Sequence, residues 1–187
     1  MYYRLIRSRR KTLSLQVGQD GEVVVRAPLY MSVLQIERFI AEKMPWIEKQ
    51  RMLQQERNAK FAGVRKMTPE QFARLKKLAR KLAAERIAYY APLAGVSHRV
   101  GKLSVRCQKT KWGSCTSDGN ISINCLLALA PLEVFDSVIV HELCHLLEMN
   151  HSKRFYAHVL RVFPQYRKWN RWLKENGSML HAMVPDT

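Results

Sequence analysis

Residues His141-Glu142-Leu143-Cys144-His145 form an H-E-x-x-H run, preceded by the apolar stretch Val138-Ile139-Val140. Side chains four residues apart on a helix share a face, with Cβ atoms about 5–6 Å apart. Two imidazoles placed in this way can converge on one zinc ion at about 2.0–2.1 Å each. Glu142 stands one residue along, so its carboxylate lies beside the ion without binding it. There it can take a proton from water and later return it. Zinc brings the pKa of a bound water to about 7, which makes hydroxide available at neutral pH. This reading predicts His141 and His145 as metal ligands and Glu142 as the general base.

A third ligand is available at His151, six residues after His145. A helix that simply continued would carry residue 151 about 240° round from His145 and about 9 Å along the axis, away from the metal. Asn150 tolerates the left-handed conformation, and a helix stop there would fold His151 back. Three histidines with one open position make a catalytic type of site. The other histidines carry less. His158 reads as half-buried or as a support for a ligand, and His98 and His181 read as surface residues. Cys144 reads as a small core thiol.

Working outward, Val134, Phe135, Val138 and Ile139 continue the helical pattern back to Pro131. Before them, residues 96–123 read as strands, with Ser117-Asp118-Gly119-Asn120 as a turn and Ile121 and Ile123 alternating with polar residues. After the motif, Ser152 can cap a helix through Phe163, and Pro164 breaks it. A last short helix is expected to end at Glu175, ahead of Gly177. Thr68-Pro69-Glu70-Gln71 opens another helix with a capping box. Near the start, Leu13, Leu15 and Val17 alternate with polar residues, and Gly18-Gln19-Asp20-Gly21 turns the chain into Val23-Val24-Val25, a β-hairpin. Ser32 with Gln35 caps a helix that Pro45 stops or kinks. Residues 50–66 are polar and basic, either a helical continuation or a linker.

The chain has 187 residues, 47% of them hydrophobic and 25% charged, which is a globular composition and not a disordered one. With 32 Lys and Arg against 15 Asp and Glu, the net charge is +17. The imbalance is local: residues 1–112 hold 25 basic and 8 acidic side chains, whereas residues 113–187 hold seven of each. Such a surface attracts nucleic acid or another polyanion, or serves solubility alone. The four cysteines form no C-x-x-C pair, so a cysteine-rich zinc site is not expected. No apolar run is long enough to span a membrane and no apolar segment follows the basic start. A cytoplasmic protein with free thiols is expected.

The string Lys109-Thr110-Lys111-Trp112-Gly113-Ser114-Cys115, then Asp118 to Asn124, the H-E-x-x-H run, and Asn150-His151-Ser152 through Phe155-Tyr156 resembles the YgjP-like metal-dependent hydrolases, relatives of the SprT and WLM zincin-type metallopeptidases. Gly21 to Val25, Pro28 and Trp46-Ile47 are similar to that family as well. The resemblance implies an α+β fold: a zincin-like core with a small antiparallel sheet packed on the H-E-x-x-H helix, plus an N-terminal β-hairpin and helix region. Residues 1–66 would form that basic region, packed on a catalytic core of residues 67–187. His141, His145 and His151 are the metal ligands that the resemblance implies, Glu142 the base, and Zn²⁺ or another divalent transition metal the cofactor. Where the family often has Trp, this chain has Tyr156, a packing position. Trp112 and Gly113 read either as a cleft wall and a point of close backbone approach to substrate, or as a buried Trp and a bulge glycine. Lys111, with Lys109 and Arg106, would put positive charge at the cleft mouth, or simply on a solvated face. The expected substrate is a peptide, with a nucleoside triphosphate as the alternative. A further alternative is a protease module recruited to nucleic acid by the basic surface.

Overall fold

The alternating run at Leu13 forms β2 (Ser14–Val17), which pairs antiparallel with β3 (Val23–Pro28), Val17 lying opposite Val23. The computed structural model describes residues 2–18 and 20–185, without the Arg57 side chain, so Gln19 of the expected turn lies outside the described residues. Gly21 leaves that turn at φ +80°, a conformation that favours glycine. An additional strand, β1 (Arg4–Ser8), pairs parallel with β3 and makes the sheet order β1-β3-β2. Arginines at both sides of a two-residue apolar pair hide it from a pattern search. Ser32 and Gln35 form the expected reciprocal cap of α1 (Val33–Glu42). Pro45 then occupies the first turn of α2 (Met44–Phe61), so the polar stretch after residue 50 is helical for most of its length. Val23, Val25, Ala27, Ile36, Ile40 and Ile47 form the core of this unit, which comprises Met1–Gly63.

The second compact unit is Val64–Thr187. Thr68 and Gln71 cap α3 (Pro69–Ala94) reciprocally, and Gly95 ends it at φ +75°. Leu75, Ala79, Ala83, Ile87, Ala91 and Ala94 make a narrow buried stripe of mostly small side chains, while Arg74, Lys76, Lys77, Arg80 and Lys81 are exposed. A second sheet holds β4 (Leu103–Arg106), β5 (Gly113–Cys115) and β6 (Ile121–Asn124) in the order β4-β6-β5. The expectation of an α+β fold with a small sheet on the motif helix holds, with one correction: β4 runs parallel to β6 and only β5 is antiparallel, so the sheet is mixed. The 107–112 segment crosses over rather than turning back as a hairpin. That places β6 in the centre and leaves β5 as an edge.

Helix α4 (Leu132–Cys144) is buried on nearly every side, as its Val-Phe-Val-Ile-Val content requires. Asp136, 4% exposed, receives two hydrogen bonds from Arg86 on α3, at 2.6 and 2.7 Å, and one from Tyr90 at 3.1 Å. This charged clamp ties α4 to α3. α5 (Lys153–Val162) is capped by Ser152, as expected. α6 (Tyr166–Ala182) runs straight through Gly177 and does not stop at Glu175. Gly177 is there for space: a Cβ on it would come within 2.6 Å of the Trp112 ring. Among the described residues, no helix is long and apolar enough to cross a membrane.

Candidate metal centre

The last turn of α4 carries His141 and Glu142, and His145 is its C-cap, still hydrogen-bonded through its N–H to the His141 carbonyl at 3.3 Å. The helix thus ends earlier than the expected stop at Asn150, and no described residue other than glycine has a positive φ. The reversal is made by consecutive tight hydrogen bonds, Leu146 N–H to Leu143 and Leu147 and Glu148 N–H to Cys144, and not by a left-handed Asn150. Its effect is the expected one. His151 returns to the motif, with its Nε2 3.0 Å from the Nε2 of His141. One ring nitrogen from each of His141, His145 and His151 lies within 4.8 Å of the others.

The opposite ring nitrogens of two of these histidines are held. His141 Nδ1 meets the Tyr166 hydroxyl at 2.9 Å, and His145 Nδ1 donates to the Glu148 carbonyl at 3.2 Å. In the tautomer that donates from Nδ1 to these oxygens, each Nε2 keeps a lone pair for a cation, the arrangement by which outer hydrogen bonds orient ligating histidines. Burial drives His141 down to about 3, helped by the neighbouring His145 and His151, and burial also lowers His145. Both are therefore neutral, as metal ligands must be. Phe155, fully buried, seats the cluster: its ring lies 4.9, 4.6 and 5.0 Å from those of His141, His145 and His151. Three convergent imidazoles fit a borderline-soft divalent ion such as zinc.

Glu142 is 5% exposed, and burial raises its carboxyl to about 8, with Lys111 acting in the opposite direction. Gly113 on β5 packs directly on it. A Cβ at residue 113 would lie 2.7 Å from Glu142 Cγ. Lys111, Trp112, Gly113, His141 and Glu142 line one pocket of about 220 Å³, joined by Ser137, Val138, Tyr166, Asn170 and Leu173. The structure therefore brings the candidate base, one candidate ligand and the three candidate substrate residues to a single cavity. Arg106 and Lys109 do not line it. Trp112 is wedged against Gly177 and the His181 ring, 4.8 Å away, so His181 is a packing partner and not the surface residue expected. His158 is half-buried and Cys144 is buried, as read from the sequence.

Tyr166 and Phe155 escape a sequence reading because no spacing rule links a residue 25 positions along to a ligand's back nitrogen. The sequence signal is a group of aromatics, Phe155, Tyr156 and Tyr166, following His151.

A family model described as YgjP-like, metallopeptidase domain, matches residues 11–77 and 69–176. The metallopeptidase class is thus shown over most of the chain. The chain belongs to the YgjP-like family. Among solved structures it is similar to the metallopeptidase zymogen of Pyrococcus abyssi abylysin, at 21% identity and a TM-score of 0.45, over 50% of this chain and 93% of that one. No curated protein matches the chain.

Proposed function

We propose that this protein is a zinc-dependent peptidase in which His141, His145 and His151 hold the ion and Glu142 is the general base. The observation that carries the proposal is the convergence of three imidazoles beside a buried carboxyl that stands outside their cluster. When bound, zinc supplies Lewis acidity, polarising a carbonyl and acidifying water. The chain does the rest. Tyr166 and the Glu148 carbonyl fix the rings of His141 and His145. A cation held by these rings favours the ionised form of Glu142, which burial alone disfavours. The Glu142 carboxylate takes a proton from the attacking water and hands it to the leaving nitrogen. β5, at the sheet edge, offers backbone groups on its unpaired side to an extended peptide. Gly113 lets that strand press against Glu142.

Lys111 favours a second reading, because it lines the pocket and its charge acts on Glu142. An anionic substrate, such as a nucleoside triphosphate, would find its countercharge there. The five exposed cations of α3 between Arg74 and Lys81 support recruitment to nucleic acid as an additional property. Side-by-side assays decide among these. Cleavage of a casein-type substrate, abolished by Glu142→Gln with metal retained, supports the peptidase. Phosphate release from nucleotides without peptide cleavage supports the second reading and overturns the first. Salt-sensitive retention on DNA or RNA tests recruitment.

A further inference from the structure

We infer that Cys107 and Cys125 form a thiol–disulfide site at the end of the β4·β6 pair, closed by exchange with a small-molecule disulfide. The parallel register runs from Leu103 opposite Ile121 to Arg106 opposite Asn124, and the cysteines directly follow these last paired residues, Cys107 in the loop after β4 and Cys125 at the start of the 3-10 turn Cys125–Leu129. Arg106 and Asn124, the last paired residues, stand on strands about 4.7–4.9 Å apart, so the residues just beyond them start close to the roughly 4.4–6.8 Å Cα separation that a disulfide needs. Burial pushes the Cys125 thiol up to about 12, and the neighbouring Cys107 acts on it in the same direction.

The two cysteines differ in access, and the difference sets an order of events. Cys107 is exposed and Cys125 is fully buried. Cys107 meets solvent beside Arg106 and Lys109, and Lys76 of α3 acts electrostatically on Cys125. This cationic surround suits a disulfide that carries carboxylates, such as oxidised glutathione. The Cys107 thiolate attacks one sulfur of that disulfide, giving a mixed disulfide and releasing one thiol. The Cys125 thiolate then attacks the Cys107 sulfur, forming the internal bond and releasing the second thiol. The protein loses two electrons and two protons, and the small disulfide gains both.

The same corner anchors the segment that leads to the pocket. Asn124 donates through Nδ2 to the carbonyls of Gln108 and Lys111, at 2.7 and 2.9 Å, and through its N–H to that of Trp112 at 2.8 Å. A Cys107–Cys125 bond would add a covalent clamp at the start of this 107–112 segment, beside these hydrogen bonds.

The test uses the full chain, folded, treated with oxidised glutathione, then unfolded, alkylated and mapped by peptide mass. Free thiols should fall from four to two, with one linked peptide pair joining residues 107 and 125, and dithiothreitol should restore all four. Cys115 and Cys144 should remain alkylated. Cys107→Ser, at an exposed position, should keep its three remaining thiols, and Cys125→Ser should stop at a glutathione adduct on Cys107. Should Cys125→Ser fail to fold, the wild-type map and Cys107→Ser still decide the matter. A stable adduct on wild-type Cys107, a link from residue 107 to residue 115, or no loss of thiol would each overturn the site.

Discussion

Gly113 lies against Glu142 so closely that a methyl group at residue 113 would sit 2.7 Å from the Cγ and 2.8 Å from the Cδ of that glutamate. Ordinary carbon contacts begin near 3.5–4.0 Å, so the carboxyl or the strand would have to move. Gly113→Ala should therefore lower kcat/KM by about 10²-fold through misplacement of the base, while metal content stays at the wild-type level. Steady-state kinetics and elemental analysis of the same preparation check this. Unchanged kinetics would mean that the contact does not position Glu142.

The Tyr166 hydroxyl reaches His141 Nδ1 at 2.9 Å, and the two rings stack with centroids 5.9 Å apart. Tyr166→Phe keeps the stacking and removes only the hydrogen bond. Zinc affinity should fall by about 10–100-fold, the usual cost of losing a ligand's outer partner. Chelator competition measures it, and an unaltered affinity would show that Tyr166 merely packs.

Asp136→Ala leaves Arg86 without its bidentate partner and Tyr90 without its acceptor. The Arg86 side chain is 24% exposed, so water can partly replace the lost carboxylate. A loss of about 2–3 kcal/mol in unfolding free energy is expected, short of the full cost of stranding a buried charge. Urea titration reads it. A change below about 1 kcal/mol would place the clamp among ordinary surface pairs.

In the metal-free protein, two buried groups oppose each other across the pH scale. Burial raises Glu142 from 4.5 to about 8, so the folded chain keeps a proton that the unfolded chain has released. That contribution to stability is complete below pH 4.5 and is lost as pH rises toward 8. Burial lowers His141 from 6.5 to about 3, so its contribution is complete above pH 6.5 and is lost as pH falls toward 3. The two slopes cancel between pH 4.5 and 6.5, and above that window only the Glu142 slope remains. Chelator-treated wild type should therefore melt at a lower temperature at pH 8 than at pH 6, with Glu142→Gln much less affected. Parallel melting curves for the two proteins would contradict this.

Short-range signals were legible in the sequence and long-range ones were not. Ser32 with Gln35 and Thr68 with Gln71 are three residues apart, and their caps depend on nothing else. His141, Glu142 and His145 need only a helical turn. The return of His151 was legible as a requirement, but its means was not. The chain turns through main-chain hydrogen bonds just past Cys144, which any residue except proline can donate, and not at the Asn that composition favours. The parallel pairings of β1 with β3 and β4 with β6 depend on crossovers that no local pattern encodes. Gly177 looked like a helix end because glycine usually is one, yet its reason for being there is the Trp112 ring, 65 positions earlier.

The zinc content of the purified chain, measured beside that of His151→Ala, is the most direct test of the metal centre. Coordination by three histidines predicts about one ion per wild-type chain and less than about a tenth of that in a folded His151→Ala variant. A folded wild-type chain that takes up no zinc, or a variant that binds it as fully as the wild type, would contradict that coordination.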